Sequence, residues 1–332
     1  MNTLITILEN PGVRTALYMG IFYGSILIAV AYLTYAERRI IGLMQLRVGP
    51  SMAGPLGILQ PFADAIKLLH KETIVPTCAQ PLLFFLAPAL AFTLSMLAWL
   101  VIPISAHGAF ATLNVGLLFI LAVSATNVYS IILAGWGSQS RYAFLGSLRA
   151  TAQMISYELV LGTVMLVIMV SAGSLRLDEI VLAQRHVWFV VPHFPMFIVF
   201  FLCALAETNR APFDLCEAEA ELVAGYNVEY GSMGFALFFI SEYANIMLMS
   251  ALGATLFWGG WLSPFGEQAL RWVPGIVWLG LKTAALVFVF FWVRASVPRY
   301  RYDQLMHVCW TVLLPLTFVW FVGTATWSYW VG

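Results

Sequence analysis

Apolar residues dominate eight stretches of this chain: roughly 15–36, 82–104, 113–135, 150–172, 187–206, 235–258, 273–293 and 308–329. Each approaches the ~20 residues that an α-helix needs to cross the hydrocarbon core of a bilayer. The pattern predicts an all-α polytopic membrane protein with about eight transmembrane helices. The fifth stretch is the weakest, because it is short and Pro192 and Pro195 lie near its start. One loop shows a different pattern. Leu59, Phe62, Ile66 and Leu69 recur near helical spacing, with the polar Asp64, Lys67 and Lys71 among them. This predicts an amphipathic helix lying in the membrane interface. The Gly49-Pro50 and Gly54-Pro55 steps and Pro61 should fix turns before it and at its start. No internal repeat, low-complexity tract or linker interrupts the chain, so residues 1–332 read as a single membrane domain.

Composition supports this class. The chain is 61% hydrophobic and 10% charged, whereas soluble domains carry about 25% charged residues. The formal net charge is zero, so no basic surface points to nucleic acid. Residues 1–14 lack a basic start and a small-residue cleavage site, so the first span is expected to stay in place. Orientation follows from the loop Lys and Arg residues. One side takes eleven: Arg38, Arg39, Arg47, Lys67, Lys71, Arg141, Arg149, Arg210, Arg294, Arg299 and Arg301. The other takes four: Arg14, Arg176, Arg185 and Arg271. The bias puts both termini on the periplasmic or intermembrane side and the long loops on the cytoplasmic or matrix side.

The four cysteines are widely spaced, with no Cys-x-x-Cys pair, and the five histidines are scattered. Neither an iron–sulfur cluster nor a transition-metal site is expected in this chain. A P-loop lysine, a dinucleotide glycine motif and a nucleophile elbow are also absent from the sequence.

The chemistry concentrates in carboxylates. Between the fifth and sixth predicted spans, residues 207–229 hold Glu207, Asp214, Glu217, Glu219, Glu221 and Glu229 against a single base, Arg210. On a helix, Asp214, Glu217 and Glu221 would share a face and titrate as a unit. A charge run is usually a solvated surface. Here it abuts apolar spans on both sides and is interleaved with Pro212, Phe213, Leu215, Leu222 and Val223, which should bury part of it. Glu158 and Glu242 fall inside predicted spans, where a charge costs about 2.5–3.5 kcal/mol on insertion scales. A group that can be charged or neutral near neutral pH suits a proton relay, although a static hydrogen-bonded carboxyl is the plainer reading. Lys282 is the lysine inside a predicted span. It should pair with a carboxylate or lose its proton. Arg38 and Arg39 at the end of the first span can be simple orientation signals, but Glu37 is less easily explained that way.

Particular strings go further than composition. AERR (36–39), QLRVGP (45–50), GILQPFADAIK (57–67), GWGS (135–138), RATAQMISYE (149–158) and the acidic stretch from Ala206 to Tyr230 resemble one family of NADH-quinone oxidoreductase membrane subunits. This family includes the mitochondrial NADH dehydrogenase subunit 1 of respiratory complex I. The resemblance implies a protein that joins the membrane arm to the peripheral arm and forms much of a quinone-access chamber. It implies quinone contacts for Glu37, Arg38, Arg47, Ala63, Asp64, Lys67, Arg210, Phe213 and Arg294. It also implies proton or charge coupling through Glu158, Glu207, Asp214, Glu217, Glu219, Glu221, Glu229, Glu242 and Lys282. The quinone would be ubiquinone or menaquinone. FMN and iron–sulfur clusters would sit in partner subunits, and the partners would be peripheral-arm quinone-site subunits, antiporter-like membrane subunits and lipid. The location would be a bacterial inner membrane, or the mitochondrial inner membrane in an organelle.

Three places depart from the family pattern. Cys216 stands where proline is common, Ser51-Met52 where Asn-Arg is common, and Asn227-Val228 where His-Thr is common. The change at Met52 removes an expected charged contact. Two other readings stay open at this point: the membrane anchor of a related hydrogenase-type or other-donor complex, and a stand-alone ion transporter. The missing repeats and missing broken-helix pairs weigh against a transporter.

Overall fold

The structure, a computed structural model, describes residues 11–105, 109–214, 225–264 and 272–331. It comprises two compact units that meet in sequence at Leu68 and Leu69.

In the first unit, helix α1 (Pro11–Met44) contains the expected first span and runs on through Glu37, Arg38 and Arg39. Its end is closed by bonds from the Leu46 and Arg47 amides to the Leu43 and Gly42 carbonyls. Leu46 takes a positive φ there. Helix α2 (Gln60–His70) is the predicted amphipathic helix. Its Phe62 and Ile66 remain 43% and 56% exposed, an uncovered apolar side of the kind an interfacial helix lays into lipid. Gly57 precedes it at φ 78°, and a Cβ there would run into the Pro50 carbonyl.

The second unit contains α3 (Pro81–Ala98), α4 (Gly116–Gly137), α5 (Arg141–Ala172), the short α6 (Leu177–Ala183) and α7 (Phe194–Glu207). These are followed by α8 (Ser232–Phe257), α9 (Gly275–Ser296), α10 (Tyr302–His307) and α11 (Leu314–Val331). A π-helical segment, Val308–Leu313, joins α10 to α11. Pro315 lies just beyond it. Proline removes an amide donor and crowds the carbonyl four residues back, so the regular ladder cannot continue through this point.

Among the described residues, seven helical stretches are long and apolar enough to cross a membrane, and no strand is present. The fifth expected span is shorter than read from the sequence. Its helix, α7, has 14 residues, about 21 Å of rise against a hydrocarbon core of about 30 Å. Residues 187–193 form turns that end at the cap residue His193, and Pro195 sits in the first helical turn. Helix α5 is longer than expected. It begins at Arg141 rather than near residue 150, and its added turns carry Arg141 and Arg149.

Helix α3 packs on α4, α4 on α5, α5 on α7 and α11, and α8 on α3, α7 and α9. Lipid removes most of the hydrophobic drive between spans, so close packing rests on small residues at the contacts. Gly146 of α5 lies so near the 225–227 turn that a Cβ would come within 2.8 Å of Gly225 Cα. At Gly135 of α4, a Cβ would meet Ser147 Oγ and lie 2.9 Å from the Ala143 carbonyl oxygen of α5. Gly135→Val should therefore push α4 off α5, at a cost of about 1–3 kcal/mol for overpacking. A lowered thermal-unfolding midpoint of the detergent-solubilised protein checks this, and an unchanged midpoint contradicts it.

Candidate functional site

The acidic stretch begins where α7 ends, and the ending is built by its sequence. Asn209 takes the left-handed conformation at φ 48°, which asparagine tolerates better than most residues. Its amide bonds the Ala206 carbonyl, and the Arg210 amide bonds the Leu205 carbonyl. This is the paired closure of a helix C-terminus, and Pro212 follows where the helix can no longer continue. The buried Gln153 of α5 pins the turn from outside, with Nε2 donating to Ala206 O at 2.8 Å and Phe213 O at 2.9 Å. Replacing Gln153 with Leu leaves both carbonyls buried without that donor, at about 1–3 kcal/mol per unsatisfied group. A Gln153→Leu protein should be cleaved faster by a protease acting near residues 206–213, and an unchanged cleavage rate contradicts the clamp.

The turn fixes two charged side chains. Glu207 is the last residue of α7. Arg210, buried, faces α8, where its Nη2 lies 3.5 Å from Glu242 Oε2 and its guanidinium stands 4.5 Å from the Tyr243 ring centre. Glu207 turns toward α4. Ser124 Oγ lies 2.7 Å from Glu207 Oε1 and 3.1 Å from Glu158 Oε1. Glu158, expected from sequence to stand apart in its span, is thus one hydroxyl away from the start of the acidic stretch. The second oxygen of Glu207, Oε2, is buried with no hydrogen-bond partner in the protein.

Two cavities of about 20 Å³ adjoin Glu207. One is lined by Asn127, Glu207, Asn209, Ser241, Glu242 and Asn245, among others. The other is lined by Ser95, Ser124, Asn127, Glu207, Asn245 and Met249, among others. Each is polar and has room for about one water molecule. Glu242, Glu207, Ser124 and Glu158 therefore form a row whose one long gap is spanned by a water-sized polar space. Sequence reading missed Ser124, Asn127, Asn209, Ser241 and Asn245. The signal was there: Ser124 and Asn127 are three residues apart in an otherwise apolar span, and Ser241 and Asn245 flank Glu242 on α8.

Beyond the turn, Phe213 is buried between Tyr157 and Tyr300, each with its ring centre 5.8 Å away. Asp214 pairs with Arg299 at 3.4 Å. Glu229 is half-buried. Its neighbour Tyr230 stacks on Phe84 at 4.2 Å between ring centres. Burial pushes the Tyr230 phenol up from its ordinary value. Glu217, Glu219 and Glu221 lie outside the described residues.

Lys282 stands elsewhere than expected. It pairs with no carboxylate: its Nζ donates to the carbonyls of Trp258 at 2.6 Å, Gly260 at 2.9 Å and Leu262 at 2.7 Å. The Trp188 ring centre lies 4.6 Å from the same nitrogen. Three acceptors match the three donors of an ammonium group, and a cation suits the C-terminal end of α8.

In the first unit, Arg38 Nη1 and Asp64 Oδ2 form an ion pair at 2.9 Å, which links α1 to α2. Gln60 Nε2 also donates to Asp64, at 3.0 Å. Arg39 and Tyr35 both donate to the Leu56 carbonyl. Glu37 is buried, whereas Arg47, Ala63 and Lys67 are exposed. Arg294 is half-buried in the last turn of α9. The structure thus joins Arg38 to Asp64 and Arg210 to Glu242.

Comparison with known proteins finds a match to the NADH dehydrogenase family over residues 17–325. The chain is 57% identical over 298 residues to a NADH-quinone oxidoreductase membrane subunit of Rhodospirillum rubrum, covering 90% of this chain and 88% of the relative. It is 56% identical over 303 residues to the protein of the same name from Paramagnetospirillum magneticum, covering 91% and 88%. It is 55% identical over 295 residues to NADH-ubiquinone oxidoreductase chain 1 of Chondrus crispus, covering 89% and 90%.

Proposed function

Because the chain belongs to the NADH dehydrogenase family, we propose that it is the membrane subunit of a proton-pumping NADH:quinone oxidoreductase. In this reading it borders the quinone-access chamber and couples quinone reduction to proton movement. It works in a bacterial inner membrane or its mitochondrial counterpart, with both termini on the periplasmic or intermembrane side. Its partners are the peripheral-arm subunits that hold the quinone headgroup and the antiporter-like subunits of the membrane arm. Flavin and iron–sulfur clusters belong to partner subunits, in line with the scattered cysteines of this chain.

The observation that carries this reading is the row of carboxylates from Glu242 through Glu207 to Glu158. Its members sit on α8, α7 and α5, inside an apolar bundle where ionisable groups mark proton or ion paths. Arg210 biases one end of the row by holding Glu242. Quinone is the substrate. Its isoprenoid tail enters along α1 and α2, where Phe62 and Ile66 are exposed beside the Arg38–Asp64 pair. Reduction of the quinone draws protons and changes the local charge. The coupled carboxylates answer by redistributing their protons, because neighbouring acids share their titration. Glu217, Glu219, Glu221, Asp214 and Glu229 feed the same row from the acidic stretch.

A pull-down of the tagged chain from native membranes in mild detergent tests this. The eluate should carry flavin, iron–sulfur clusters and NADH:quinone reductase activity that a quinone-site inhibitor blocks. Clusters with hydrogenase activity and no NADH activity would instead place the chain in a hydrogenase-type complex. An eluate free of cofactors would overturn the reading.

A further inference from the structure

The hydroxyls on the spans of this bundle mostly turn back onto their own helix. Ser95 donates to Phe92 O, Thr126 to Ala122 O, Ser130 to Asn127 O, Ser147 to Phe144 O and Ser156 to Ala152 O. This is the usual choice of a serine or threonine in a helix. Ser124 does otherwise. Its Oγ stands between two carboxyl groups from two other helices, 2.7 Å from Glu207 and 3.1 Å from Glu158.

A hydroxyl has one proton to donate, and an ionised carboxylate can only accept. With both glutamates ionised, Ser124 could satisfy just one of these contacts. With one glutamate protonated, both contacts become hydrogen bonds: the acid donates to Oγ, and the Oγ proton goes to the other carboxylate. The observed geometry therefore suits a triad that holds one shared proton. Glu207 is also placed to receive or release that proton, because its unpartnered Oε2 and the two water-sized cavities lie on its side of the triad.

We propose that Ser124 is the proton bridge between Glu207 and Glu158. Transfer breaks the O–H bond of protonated Glu207 and forms a new O–H bond on Oγ. In the same movement the original Oγ–H bond breaks and its proton joins the Glu158 carboxylate. Glu207 is left ionised, Glu158 neutral and Ser124 unchanged, with one proton moved and no electron exchanged. The inference rests on the coupling role given above to the carboxylate row. It adds a specific residue on α4, and it makes a hydroxyl at position 124 a requirement.

The test compares Ser124→Thr with Ser124→Val in the assembled complex, reconstituted into liposomes. The two side chains have the same shape and differ by a hydroxyl against a methyl, so a purely steric role treats them alike. Glu158→Gln and Glu207→Gln are measured alongside. Proton uptake per quinone reduced is read for each, per assembled complex. Ser124→Thr should stay within about twofold of the parent protein, and Ser124→Val should fall by tenfold or more, on the scale of losing a positioned proton-transfer group (about 10²–10⁴). Equal values for Ser124→Thr and Ser124→Val, with both glutamine variants impaired, would overturn the bridge and leave the carboxylate row standing. Normal pumping in both glutamine variants would overturn the row itself, and the bridge with it. Should Ser124→Val assemble poorly, Ser124→Ala takes its place, with the same loss expected and the same equality with Ser124→Thr overturning the bridge.

Discussion

Glu207→Gln in the assembled enzyme should lower proton translocation by about 10²-fold, the lower end of the range for removing a positioned proton-transfer group. The substitution keeps the size and the hydrogen-bond contact with Ser124 but abolishes the exchangeable acid. Three observations make this position the most sensitive of the row. Glu207 touches Ser124 at 2.7 Å, which ties it to Glu158. It lines both cavities, one of which reaches Glu242. Its Oε2 is enclosed without a protein partner, so the amide of the variant adds a donor there instead of breaking an existing bond. Assembly should consequently be near normal, and the loss should fall on pumping. The check is proton uptake by reconstituted vesicles against the amount of assembled complex. Parent-level pumping in Glu207→Gln would remove Glu207 from the path.

Lys282→Met should act in another way, through the fold. The ammonium group gathers the carbonyls of Trp258, Gly260 and Leu262 at 2.6–2.9 Å, in the turn that follows α8. The same turn needs positive φ at Gly259 and Gly260. It is further fastened by the buried Gln184, which accepts from the Gly259 amide at 3.0 Å and donates to the Thr255 carbonyl at 2.9 Å. Removing the lysine nitrogen leaves three enclosed carbonyls without their donor. At about 1–3 kcal/mol for each unsatisfied group, the sum is a large share of the roughly 5–15 kcal/mol that holds a domain folded. The amount of chain in the membrane should drop severalfold, as read by immunoblot of a tagged protein. Normal accumulation together with lost pumping would return Lys282 to the charge path expected from sequence.

The spans were legible because about twenty apolar residues in a row admit little besides a membrane helix. The exceptions have local causes. Pro192 and Pro195 delay α7 to Phe194, and the polar first turns of α5 hide its start at Arg141 from a reading based on hydropathy. The charged members of the site were legible as residue types, since carboxylates in apolar spans stand out. Their partners were not. Ser124, Asn127 and Asn245 become neighbours of Glu207 through contacts among α4, α7 and α8, which no spacing within one helix encodes. Lys282 shows the same limit from the other side. Its charge suggested a carboxylate partner, but the backbone of a glycine turn supplies three acceptors that a sequence does not display.

The most direct measurement is infrared difference spectroscopy of the assembled enzyme on quinone reduction, comparing the parent with Glu207→Gln. Protonation changes of buried carboxyl groups appear as C=O stretching bands separate from the amide region. The expected result is a carboxyl band in the parent that is lost or shifted in Glu207→Gln, while the quinone bands stay in place. Identical carboxyl bands in the two proteins would contradict a relay through Glu207 and the coupling role built on it.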